Sequence, residues 1–213
     1  MLILAINCVE RSRPDLAGCR ISVEKDEQQV RANNISWAEL RFIYCHLRNI
    51  KDKYGFTVLH HAVYRENLRL VNKLLKERGV KYEEKDEQGN TALHLAAVGK
   101  NVDLIKSLMR NKEQILEVNR EGQTPLHLAA GTGAVRAIKT ILNSPEGKKT
   151  LESEDSRHQT PLLIAASVGS KEVINLMISH GASVRKRNSD KETPLHICAR
   201  FGSRCATVVL FPP

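Results

Sequence analysis

The chain has 213 residues, 41% hydrophobic and 27% charged, the balance of an ordinary soluble globular protein with room for one or two domains. Its net charge of +9 is spread along the chain, and the densest basic run, Arg185-Lys186-Arg187, has no aromatics interleaved with it, which argues against a nucleic-acid platform and for a solvated turn. No apolar run approaches the ~20 residues needed to span a bilayer, and with aromatics at only 4% the core must be built from Leu, Ile, Val and Ala, which suits thin layers of small helices.

Residues 1–51 form an irregular N-terminal segment. Met1 to Ile6 is apolar but has no basic residues before it and soon meets Glu10 and Arg11, so it does not read as a cleaved leader. Its Leu2 and Ala5 have the Leu-x-x-Ala spacing that recurs from residue 52 onward, so it reads as half a repeat unit. Glu24 to Asn34 is polar and reads as a loop. Ile35 to Ile50 reads as a capping helix, with Ser36 as N-cap, Leu40, Ile43, Tyr44 and Leu47 on one stripe, and Trp37 packing it against the chain beyond residue 51. Asn34-Ile35-Ser36 fits a glycosylation acceptor, which matters only in a secreted protein. The five cysteines, Cys8, Cys19, Cys45, Cys198 and Cys205, show neither a CxxC pair nor zinc spacing. Reduced thiols in a cytosolic or nuclear compartment fit best.

From residue 52 onward the chain repeats itself. Thr57-Val-Leu-His-His-Ala62, Thr91-Ala-Leu-His-Leu-Ala96, Thr124-Pro-Leu-His-Leu-Ala129, Thr160-Pro-Leu-Leu-Ile-Ala165 and Thr193-Pro-Leu-His-Ile-Cys198 align, their threonines 34, 33, 36 and 33 residues apart. Each segment opens like a helix: Thr caps, and Pro125, Pro161 and Pro194 take the first helical position, where a missing N–H costs nothing. Turn residues precede each threonine. Small residues (Ala62, Ala96-Ala97, Ala129-Ala130, Ala165-Ala166) sit mid-helix, and Gly99, Gly133, Gly169 and Gly202 read as stops. A second helix comes next in each unit, with an apolar stripe of Leu68, Val71, Leu74 and Leu75, then Val102, Ile105, Leu108 and Met109, then Val135, Ile138, Ile141 and Leu142, then Val173, Leu176 and Met177. A single helix pair cannot bury its own apolar face, whereas stacked neighbours can.

A turn, Thr-Pro-Leu-His-x-Ala, a glycine and a second helix at a period of 33 resemble the ankyrin-repeat family. The resemblance covers about residues 52–213, as units of about 52–85, 86–119, 120–154, 155–188 and a truncated 189–213. It implies an all-α solenoid of stacked helix-turn-helix units with hairpin fingers between them. Leu163 departs from the pattern where His is usual, and Val58 and Ala92 where Pro is usual. Ser144-Pro-Glu-Gly-Lys-Lys149, inserted after the third unit's second helix, is expected to protrude as a loop. The end of the chain, with Val208, Leu210 and Phe211, would leave apolar residues on an open end, which reads better as one piece of a longer array than as a cap.

The resemblance implies function by binding a protein partner, with no cofactor and no membrane insertion by this chain. Thr57, Thr91, Thr124, Thr160 and Thr193, with His60, His94, His127 and His196, then have structural roles, since a regular period does not bring histidines together in one cleft. The fingertips carry Tyr54, Gln88, Glu121, Arg157, His158 and Lys191, and the ends of the first helices carry Tyr64, Arg65, Thr132, Arg200 and Phe201; aromatics and Arg make the best anchors among these. The leading reading is a non-catalytic cytoplasmic adaptor or scaffold. A second reading takes the long stretch Leu151 to Pro161 as similar to the elongated repeats of ankyrin-type transient receptor potential channels, making the chain a fragment of such a channel's cytoplasmic array. A third takes Cys198 or Cys205, near Arg200 and Arg204, as a redox or electrophile sensor.

Overall fold

In the computed structural model, the described residues are 49–201, apart from Arg78, Lys100 and Asn111. The expected half repeat, Trp37, Cys8, Cys19, Cys45, Cys205 and the apolar end at Val208–Phe211 lie outside them. So does the expected helix over 35–50, except for Asn49 and Ile50, which are not helical.

Ten helices and no strand occur among the described residues. They are α1 Val58–Tyr64, α2 Leu68–Leu74, α3 Ala92–Val98, α4 Val102–Leu108, α5 Pro125–Gly131, α6 Val135–Leu142, α7 Pro145–Lys149, α8 Pro161–Val168, α9 Lys171–Ser179 and α10 Pro194–Arg200. Short 3₁₀ turns cover Lys112–Ile115 and Thr150–Glu152. Each expected threonine is the extended N-cap of its helix, and each expected proline sits in the first turn.

The helices form two layers. The first helices of the units (α1, α3, α5, α8, α10) pack one on the next, the second helices (α2, α4, α6, α9) do the same, and each pair packs within its unit. The alanines allow this: Ala62, Ala96, Ala97, Ala129, Ala130, Ala165 and Ala166 are all buried between first helices. The second-helix stripe is wider than the sequence reading allowed. Val71, Ile105, Ile138, Ile141 and Met177 are buried as expected, but Leu104, Ala137 and Ile174 are buried too. Each second helix faces both its own first helix and the second helices beside it, so one stripe is not enough.

Gly99 is the C-cap of α3, as expected of a stop, and is extended at φ −74, whereas Glu66 (φ 52), Gly133 (φ 67) and Gly169 (φ 76) take the left-handed conformation after their helices. One expectation needs correction. The Ser144–Lys149 insertion does not protrude as a loop. Pro145–Lys149 forms α7, with the Ser144 hydroxyl accepting from Gly147 N at 3.0 Å, and it packs on α6 and on the 3₁₀ turn over Lys112–Ile115. Gly147 and Thr150 are buried. A Cβ on Gly147 would collide with the carbonyl oxygen of Ile141, which explains the glycine at this point.

Leu126 and Leu162 are at most 1% exposed. Leu126→Ala or Leu162→Ala should lower the unfolding free energy by about 2–5 kcal/mol in urea titrations, with loss under about 1 kcal/mol refuting their burial. Gly147→Ala should cost about 1–3 kcal/mol by the same measurement, as overpacking does, whereas a substitution in a protruding loop would be nearly neutral.

Candidate interaction surface

The fingers are built from one repeated device. An acidic or amide side chain opens each turn: Asp52, Asp86, Asn119, Asp155 and Asn188. Its Oδ1 accepts backbone N–H bonds inside the turn, from Tyr54 and Phe56 (both 2.9 Å), Gln88 (2.9 Å) and Asn90 (2.7 Å), Glu121 (3.0 Å) and Gln123 (2.9 Å), Arg157 and Gln159 (both 2.8 Å), and Glu192 (2.8 Å). Asx side chains close such turns by mimicking backbone. Burial works against ionisation of Asp52, but the N–H groups of Phe56 and Tyr54, then His61 at 2.8 Å, hold its carboxyl below the usual value.

The tips are tied to each other. Glu87 N donates to Tyr54 O (3.1 Å), Arg120 N to Gln88 O (3.0 Å), Ser156 N to Glu121 O (2.9 Å) and Ser189 N to Arg157 O (3.1 Å). Tyr54, Gln88, Glu121 and Arg157 therefore form one row in register, and all four are exposed. The fifth member of this row is Asp190, not Lys191. Lys191 is exposed, but it aligns with His158 and with Gly55, Gly89 and Gly122, all at positive φ. A Cβ at Gly55 would lie 2.7 Å from Glu87 N, which accounts for glycine in the first finger. The fourth and fifth fingers instead hold His158 at φ 55 and Lys191 at φ 61, a conformation costing a side chain about 1 kcal/mol or more. His158 Nδ1 lies 3.1 Å from Glu154 Oε2, and Lys186 Nζ lies 2.8 Å from Glu154 Oε1; Lys186 first, then His158, holds the Glu154 carboxyl below its usual value. The same contact raises the Lys186 ammonium.

A second row lies at the far ends of the first helices, one helix length (about 10 Å) from the fingers. Tyr64 (68% exposed), Arg65, Thr132, Arg200 and Phe201 (57% exposed) all open to solvent, as expected. The sequence reading missed Val98 and Val168, exposed apolar residues in the same helix-end slots as Tyr64 and Phe201. Only that alignment could have found them. The Arg200 guanidinium lies 5.0 Å from the centre of the Phe201 ring and pairs with Glu192 at 3.1 Å, which holds both side chains in place.

Histidines fix the fingers to the stack. The N–H groups of Thr57, Thr91 and Thr124 donate to Nδ1 of His60, His94 and His127, at 3.2, 3.2 and 3.1 Å. Nδ1 is then an acceptor, so Nε2 carries the hydrogen. It donates across the unit boundary to Asn90 O (3.2 Å), Gln123 O (2.9 Å) and Gln159 O (3.0 Å). Those carbonyls already accept from Asp86, Asn119 and Asp155 N, so each one joins a finger base to the preceding helix. His196 makes the same bond to its own Thr193 but is exposed. Burial lowers the pKa of His60 and His127, and of His94 to about 4, despite the opposing carbonyl bonds. Leu163 fills the fourth slot, fully buried, and has no polar group to reach the next finger. Cys198, 0% exposed, lies in the core and not on a reactive surface.

Among the described residues no group of three His, Cys, Asp or Glu could hold a metal ion, and no helix is long and apolar enough to cross a membrane. A family model described as ankyrin repeats (3 copies) matches residues 59–152 and 146–212. The chain belongs to the ankyrin-repeat family, and ankyrin repeats are protein–protein interaction modules. No curated protein matches the sequence.

The histidine bonds have a pH signature. The unfolded chain takes up protons near pH 6.5 and the folded chain only at lower pH, so this stability is present above pH 6.5 and lost as pH falls towards about 4. For His94 each pH unit between those values is worth about 1.4 kcal/mol, and His60 and His127 act in the same direction. Urea unfolding at pH 7.5 and pH 5.0 should show a less stable protein at pH 5.0, and His94→Gln should flatten the dependence while lowering stability at pH 7.5.

Proposed function

We propose that this chain is a non-catalytic adaptor or scaffold, acting on the cytoplasmic side of the cell, that binds a protein partner along the fingertip row and the ends of the first helices. The observation behind this reading is the register of the two rows: backbone bonds hold the tips at a fixed spacing, and aromatics and arginines cluster at the helix ends. Tyr54, Tyr64 and Phe201 are each more than half exposed, which costs solvation and is characteristic of a recognition surface. The restrained tips and short helices carry little conformational freedom to lose on binding.

Catalysis has poor support, because both ring nitrogens of His60, His94 and His127 are committed to the fold. The sensor reading loses Cys198 to burial. The channel-fragment reading gains nothing from the described residues: the elongation of the third unit goes into α7, which packs on its own stack.

Replacing Tyr64, Arg65, Arg200 and Phe201 together with Ala should abolish capture of the partner from a lysate of the source cells, by at least tenfold in recovered protein on the hot-spot scale. The melting temperature should stay where it was. Retention of the partner by that variant places the binding surface elsewhere.

A further inference from the structure

A cleft of about 560 Å³ lies beyond the C-terminal ends of the second helices α2 and α4, and no residue of either row lines it. Its lining comes from the segment after α2 (Gly79 to Glu83) and from Glu113, Gln114 and Glu117 after α4. Two features are out of keeping with the rest of the molecule. The first is charge: in a chain of net charge +9, three carboxylates (Glu83, Glu113, Glu117) face one ammonium, Lys81. Lys81 leans to Glu84 at 3.7 Å and Glu117 is paired with Lys85 at 2.8 Å, while Glu83 and Glu113 form no ion pair among the described residues.

The second is Gln114. It is 2% exposed, and both Oε1 and Nε2 are buried without a hydrogen-bond partner. It is the one side chain among the described residues left in that state. A buried, unpaired amide costs a fold about as much as a good hydrogen bond gains, and Leu or Met would fill the same volume without the cost. A polar group retained at such a cost, at the wall of an acidic cleft, is what a binding site needs and a solenoid does not.

We propose that this cleft receives an arginine side chain of a protein partner. A guanidinium presents five donors in a planar fork, enough to meet Glu113, Glu83 and Gln114 Oε1 together, and it gives up its hydration more readily than an ammonium does. The volume exceeds what a single ion needs and suits a guanidinium, its stem and one neighbouring residue. The inference rests on the chain being a protein-binding module, but it uses a different surface from the two rows.

The test uses the full chain, labelled with nitrogen-15, and the peptide acetyl-Gly-Ser-Arg-Ser-Gly-amide, with the lysine and glutamine versions as controls. The arginine peptide should shift the Gln114 side-chain amide resonances and bind with a Kd of about 1 mM or tighter. The lysine peptide should bind several-fold more weakly and the glutamine peptide not at all. Glu113→Gln should weaken binding about tenfold, the loss of one charge-assisted bond. Gln114→Leu should abolish binding and raise the melting temperature, because the unpaired amide is gone. Equal binding of all three peptides, unshifted Gln114 resonances, full binding by Glu113→Gln, displacement of the peptide by calcium chloride, or a lower melting temperature in Gln114→Leu would each overturn the proposal. The variant with Ala at Tyr64, Arg65, Arg200 and Phe201 should bind this peptide normally, so failure here and failure of the two-row surface give different results.

Discussion

Seven-residue helices do not persist alone in water, because the nucleation cost is never recovered over two turns. Most helices among the described residues are that short. Each exists because its neighbours bury it, and the contact that makes this possible is the alanine-on-alanine approach between first helices. Leu, Ile and Val can then fill the space between layers without large aromatic rings. The unusual composition and the regular period are two aspects of the same constraint: every unit must present the same thin profile to the next.

That approach would leave the fingers loose if the backbone were not also joined. At three of the boundaries the joint is made at a single carbonyl, which accepts from its own turn and from the histidine of the preceding unit. Polar groups that burial would otherwise penalise are thereby satisfied, and the fingertips inherit the spacing of the core. The surface offered to a partner is therefore set by packing beneath it, while its chemistry is free to vary. Glu87, Arg120 and Ser156 differ widely in side chain yet make the same backbone bond at the same point.

The sequence makes the core legible because the slots that fix it tolerate few residue types. Threonine, histidine and paired alanine each answer a geometric demand, and aligning them gives the helix starts to the residue. The fingers were harder to read. Asn119 and Asn188 do the work of aspartate with an amide oxygen, and His158 and Lys191 stand where the other fingers have glycine, so the register of the fifth tip, at Asp190, is not evident from the sequence. The Ser144–Lys149 insertion, rich in Pro, Gly and Lys, reads as a loop, and only its fit under α6 makes it a helix. Gln114 had no signal at all: an ordinary glutamine in a polar stretch becomes unusual only through its surroundings.

Leu163 divides the array into two kinds of joint. Where histidine spans the boundary, the bond weakens as the solution becomes acidic. Where Leu163 sits, the slot is filled by an apolar side chain with no group to titrate, and the fingers there are joined by the Ser189 N to Arg157 O bond without a histidine beneath it. Burial responds to other variables: it weakens on cooling and strengthens with excluded salts such as sulfate. Cooling therefore acts on every boundary, while acidification acts on the three that histidine spans, so the two would loosen the same molecule in different patterns.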